Sequence, residues 1–238
     1  MKTGLIATLI GTALAFTQFS NASATPATFA QYVAARAGNG YIFTNNGDGT
    51  ATFNSNGQVD ISFLDGAIPA DKLLQPLPSG PQLANLTRTS STTGLTVCQG
   101  PCAVGRPFVQ TIDQSLVTIR RASDNALLLE IAGNVANLSG QIGGAAGSFE
   151  TSDPPNTLTF TSDFINFSSA VSKSRSISFT SATPSFAIAP DGILQSFTAA
   201  GTGTFAVDYV AASVPEPASL ALLGMGLIGV GMARRRMK

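Results

Sequence analysis

Along most of the chain, apolar positions recur every second residue in short stretches broken by turn residues. From Gln58 to Leu64, Val59, Ile61 and Phe63 take one side and Asp60 and Ser62 the other, the alternation of a half-buried strand. Tyr41 to Thr44 and Thr50 to Asn54 flank Asn45-Asn46-Gly47-Asp48-Gly49, which predicts a hairpin. Strand character resumes at Leu83 to Thr89, Thr93 to Cys98, Phe108 to Ile112 and Leu116 to Arg120. The continuous apolar run Leu127 to Ile131, interrupted only by Glu130, predicts a central strand. The last third is the most regular, with strands predicted at Thr157 to Thr161, Phe164 to Phe167, Ser176 to Thr180, Ser185 to Ala189, Leu194 to Ala199 and Gly203 to Val210. Phe179, Phe186, Phe197 and Phe205 fall about one per strand, as core anchors do. The Gly-Thr pairs at 49–50, 201–202 and 203–204 read as strand openings, Gly140 to Gly147 as a flexible connector, and Pro154-Pro155-Asn156 as a turn. Four prolines between Asp65 and Pro81 exclude a ladder there and predict a long surface connection. Thr25 to Ala37 holds the one helical pattern of the body, with Phe29, Val33 and Ala37 at i, i+4, i+8 and Thr28 placed to cap. With no amphipathic helix between strands, the body is expected to be all-β, an antiparallel, jelly-roll-like β-sandwich.

Both ends of the chain leave this pattern. Lys2, the apolar run Leu5 to Phe19 and the small-x-small site Ala22-Ser23-Ala24 predict a signal helix cleaved after Ala24. At the other end, Val214-Pro215-Glu216-Pro217 precedes sixteen uncharged residues, Ala218 to Ala233, and then Arg234-Arg235-Arg236-Met237-Lys238. The two prolines hold the tetrapeptide extended. A transmembrane helix over 218–233 would span roughly 24 Å against a hydrocarbon core of about 30 Å, a short anchor. Arg234, Arg235, Arg236 and Lys238 would sit on the cytoplasmic face and leave the body outside. In this order, motif, apolar helix and basic cluster resemble the PEP-CTERM sorting signal of Gram-negative surface and secreted proteins. The N-terminal pattern implies a signal peptidase as a partner, and the resemblance adds an exosortase-type enzyme, cleavage near the Pro-Glu-Pro, and transient residence in the inner membrane before release to the cell surface or beyond. An ordinary anchor that is never cut is the alternative. The chain thus divides into a signal peptide (1–24), a body (25–213) and a sorting signal (214–238).

Within the body, 8 basic and 12 acidic residues remain, which disfavours nucleic acid as a partner. The chain has no His and no Trp, so imidazole zinc sites, Ser-His-Asp triads and Cys-His pairs are excluded. Cys98-Gln99-Gly100-Pro101-Cys102 in an exported protein reads as a disulfide closing a hairpin tip, since a redox pair wants two intervening residues and a metal site more ligands. The loop Asn45 to Gly49 is by default a turn; its sharper reading is a calcium site using Asn45, Asp48 and the later Asp60, without the glutamate an EF-hand needs. No cofactor is expected. Glu130 reads as an outward carboxylate paired with Arg120 or Arg121.

Two functions follow. One is a non-enzymatic surface or matrix protein linked to exopolysaccharide or cell-envelope organisation. The other is a secreted glycan-binding or glycan-active protein; its active form would need two carboxylates in one cleft, such as Asp60 with Asp65 or Glu130 with Glu150. Glycan clefts usually stack sugars on aromatic rings, yet Trp is absent and Tyr32, Tyr41 and Tyr209 lie near the ends of the body, so the non-enzymatic reading leads.

Overall fold

The computed structural model describes residues 26–35 and 40–209. The expected signal helix and transmembrane helix lie outside these residues, as do Ala24, the 214–217 motif and the basic cluster. Thirteen strands make up the fold: β1 (Ala27–Ala34), β2 (Tyr41–Asn45), β3 (Ala51–Phe63), β4 (Gln82–Thr92), β5 (Thr96–Cys98), β6 (Pro107–Ile112), β7 (Gln114–Arg121), β8 (Leu127–Gly133), β9 (Ala136–Gln141), β10 (Gly147–Asp153), β11 (Leu158–Thr161), β12 (Ala170–Thr183) and β13 (Phe197–Tyr209). All pairings among them are antiparallel, and they form one sheet in the order β11-β8-β7-β4-β3-β1-β13-β12-β10-β9-β6-β5.

The seam of this sheet is a strand in two pieces. β1 and β2 lie end to end between β3 and β13, β1 taking Val59 to Phe63 and Gly203 to Val207, β2 taking Ala51 to Ser55 and Phe197 to Ala199. The helix expected over Thr25 to Ala37 is therefore a strand. Its i, i+4 pattern competes with an alternation that buries Phe29, Ala30 and Tyr32, and two long strands offering ladder partners on both sides decide the outcome. Side chains from strands far apart in the sheet order meet on its buried side. Phe29 of β1 lies 5.8 Å from Phe160 of β11, and Phe53 of β3 lies 5.9 Å from Phe149 of β10 and 5.4 Å from Phe179 of β12.

Several predicted boundaries shift once the pairings are known. The two strands expected around Ser55 to Gly57 merge into β3, whose 13 residues run unbroken because β4 pairs along most of its length. β6 and β7 do not pair with each other. The chain crosses at Asp113, whose carboxylate accepts from Thr93 N and Oγ1, so that β6 joins β9 and β7 joins β4 and β8. Phe164 to Phe167 and Ser185 to Ala189 are not strands. They are coil making the isolated bridges Leu73 to Ile165 and Ile188 to Leu194, and Phe164, Ile165, Phe167 and Phe186 fill the core from there. Gly140 and Gly147 belong to no flexible connector; they face each other across β9 and β10, leaving room for the Phe186 ring. The connection after Asp65 is irregular as expected, with a single 3-10 turn at Ala70–Lys72. All four predicted anchors, Phe179, Phe186, Phe197 and Phe205, are buried.

Candidate functional site

Two arrangements in this sheet have chemical character: a cationic centre on its buried side, and an uncharged groove on an outward face.

The centre follows from strand phase. On β4 the inward positions are Ala84, Leu86, Arg88, Ser90 and Thr92, and on β12 they include Arg175, Ile177 and Phe179. Alternation thus sends two arginines inside, each only 2% exposed. The guanidinium carbon of Arg88 lies 4.2 Å from the centre of the Phe53 ring and 3.8 Å from that of Phe149; that of Arg175 lies 4.8 Å from Phe149. Arg88 Nε donates to Ser90 Oγ at 3.0 Å, but its Nη1 and Nη2, and Nε and Nη1 of Arg175, have no hydrogen-bond partner among the described residues. Burial lowers Arg88 to about 10, and burial followed by the charge of Arg88 lowers Arg175 to about 9.

Beside them lie Tyr32 and Tyr41, both buried, their hydroxyls hydrogen-bonded to each other. They lie at the middle of the fold rather than at its ends, and the glycines of β13 make room for them. A Cβ on Gly201 would stand 2.7 Å from the Tyr41 ring, and one on Gly203 would stand closer still to the edge of the Tyr32 ring. Gly201 and Gly203 are consequently mid-strand residues opposite Phe179 and Ile177, not strand openings. Burial, then the neighbouring Tyr41, raises the Tyr32 phenol well above its usual 10, and burial raises Tyr41. Sequence reasoning missed this cluster. The phase of β4, in which Arg88 falls on the side of Ala84 and Leu86, was the available signal.

The outward groove has a volume of about 640 Å³ and crosses β3, β4, β7, β8 and β11. Thr89 of β4 faces Leu116 of β7, Leu116 faces Ala132 of β8, and Ala132 faces Thr159 of β11, with Thr52 and Asn54 beside them on β3. None of its lining residues is charged. A second groove of about 650 Å³ crosses β13, β12, β10 and β9, and Glu150 is its one lining carboxylate.

The structure joins Cys98 to Cys102 in a disulfide, at the end of the β5–β6 pair. Asn45 and Asp48 do form a turn. Asn45 Oδ1 accepts from Gly47 N at 2.7 Å and Asp48 Oδ1 from Thr50 N and Oγ1, and this hydroxyl bond holds Asp48 below the usual carboxylate range. Asp60 stands nine residues beyond Ala51 on β3, roughly 30 Å away at about 3.3 Å per residue, so the structure does not bring the expected calcium ligands together. Glu130 meets neither arginine: its Oε2 accepts from Thr118 Oγ1 at 3.3 Å, while Arg121 pairs with Asp124 and Arg120 donates to Asn125 O. Glu130 sits on β8 between β7 and β11, Glu150 on β10 between β9 and β12, and neither groove holds a pair of carboxylates.

The described residues therefore define an antiparallel all-β protein with a cationic interior and an uncharged outer groove. Beyond them, residues 213–236 match the PEP-CTERM protein-sorting motif. The motif marks the chain as exported, transiently at the membrane, and processed by an exosortase-type enzyme. No curated protein matches the chain, and no solved structure does.

Proposed function

We propose that the chain is a non-enzymatic protein of the cell surface or extracellular matrix, its sheet doubled into a two-layer sandwich, that binds neutral exopolysaccharide along the groove over β3, β4, β7, β8 and β11. The observation that carries this reading is the lining of that groove. Hydroxyl and amide side chains (Thr52, Asn54, Thr89, Ser91, Gln114, Thr159) surround the apolar patch of Leu116 and Ala132, with no charge to attract an ionic ligand. Such a surface offers hydrogen bonds to sugar hydroxyls and apolar contact to ring C–H groups. Signal peptidase acts at Ala24 and the exosortase-type enzyme near Val214 to Pro217, with Arg234, Arg235, Arg236 and Lys238 holding the precursor in the inner membrane until then.

Affinity electrophoresis through gels containing neutral or acidic polysaccharide tests the binding. Retardation is expected in the neutral gel and its loss in L116R/T159R, whose side chains would project into the groove. Equal retardation of that variant, or retardation in the acidic gel alone, would overturn the proposal. For processing, the intact mass of the surface form should end between Val214 and Pro217; recovery of the arginine cluster on it would refute cleavage.

A further inference from the structure

Among the described residues, the interior collects positive charge without any negative charge to meet it. The ion pairs Lys72 to Asp71, Arg121 to Asp124 and Lys173 to Asp153 engage other residues, and among the described residues no carboxylate bonds Arg88 or Arg175. Stacking on Phe53 and Phe149 compensates part of the desolvation, but four guanidinium nitrogens keep N–H groups with nothing to accept them. The Tyr32–Tyr41 pair adds donors rather than charge, because one hydroxyl hydrogen is used between the two oxygens and the other remains.

Three remedies are chemically open. The arginines could lose their protons, but at about 9 and 10 both remain charged at neutral pH. A tyrosine could ionise, but both phenols are raised and stay neutral. What remains is an acceptor from solution, a water or an anion, and of the two only an anion also offsets the buried charge. Arg175 is among the lining residues of the second groove and Arg88 among those of a smaller one of about 300 Å³, but the guanidinium groups themselves stand against rings in mutual contact, so an occupant there has little room, which favours a monatomic ion over phosphate or sulfate.

We propose that Arg88 and Arg175 hold a small monatomic anion of the chloride class on the buried side of the sheet, with the Tyr32–Tyr41 hydroxyl pair as a further donor. The ion is enclosed as the sheet closes, so its binding is linked to folding. Each tenfold rise in chloride above the dissociation constant then shifts the folding equilibrium about tenfold toward the native state.

The test is thermal and denaturant unfolding of the full-length protein in sodium chloride and in sodium gluconate at matched ionic strength, which keeps general screening constant. The native state should gain in chloride with the slope of one site, and R88M/R175M, which retains apolar volume, should lose that gain. Crystals grown in bromide should show an anomalous peak within hydrogen-bond distance of the two guanidinium groups. Equal stability in the two salts, a chloride gain that survives in the double variant, or tyrosinate absorbance near neutral pH would each overturn the proposal. Should the double variant fail to fold, the bromide peak decides alone: water at that position refutes the site.

Discussion

At the centre of the sheet, Tyr32, Tyr41, Phe53, Arg88, Phe149 and Arg175 converge from six different strands, and none of them has its place without the others. At the tip beyond β5, Cys98 and Cys102 close a loop within five residues, while Val97 and Val104 stand 67% and 84% exposed. The tip is a local structure fastened by one covalent bond and lightly packed against the rest. The centre has no covalent fastening and owes its order to mutual exclusion of volume and to pairings remote in sequence. Damage at the centre should therefore propagate through the whole fold, and damage at the tip should stay there.

The contrast is broken most severely at Gly203. G203A would drive a methyl group against the edge of the Tyr32 ring, and because the ring is walled in by Phe205, it has no simple escape. Overpacking of this kind costs about 3 kcal/mol or more. The denaturant midpoint should fall accordingly, and Y32V in the same chain should recover much of the loss. If G203A melts like the native protein, the Tyr32 ring does not lie against Gly203.

Arg88 sharpens the comparison by separating charge from volume. R88A removes the side chain wedged between Phe53 and Phe149 and should cost about 3 kcal/mol through the cavity left behind. R88M in a chloride-free buffer should cost far less, since replacing a buried ion by apolar volume is often neutral or stabilising. Equal losses in the two variants would show that charge, not packing, is what the site requires.

At the tip, C98S/C102S should cost about 2 kcal/mol or less, because the loop it opens is short. Hydrogen exchange should rise at residues 96–108 and remain unchanged at Tyr32, Arg88 and Phe149. Thiol labelling of the unreduced native protein should be negligible. Loss of protection at the centre would erase the distinction between the two regions.

The smallest effect is a pH dependence confined to the centre. A base with a lower pKa in the folded chain than in the unfolded chain releases its proton first in the fold, so the unfolded state binds more protons and stability rises with pH. For Arg175, lowered to about 9, the rise between pH 8 and 9.5 should be about 1 kcal/mol relative to R88M/R175M. Tyr32 and Tyr41 act oppositely above pH 10, since their raised values leave the unfolded state to ionise first. A flat difference between the two proteins over that window would mean that the guanidinium groups are better solvated than their burial indicates.

What could be read from the chain alone was whatever closes over a few residues. The 214–217 motif with its apolar and basic flanks, the Cys98–Cys102 bridge, the turn from Asn45 to Gly49, and the alternation that marks Val59, Ile61 and Phe63 all depend on neighbours in sequence. What only the tertiary structure decided was how strands far apart are paired. The helical spacing of Phe29, Val33 and Ala37 was real, but β3 and β13 stand on either side of that segment and supply ladder partners a lone helix could not match. Arg88 and Arg175 lie 87 positions apart, and nothing local to either announces that both will stack on Phe149. Gly203 has the same character: its missing side chain has no meaning until Tyr32, from the opposite end of the body, lies across it. Local signals survive in sequence because a few dihedral angles fix them, whereas the cationic centre exists only after long loops have been closed and six strands brought into register.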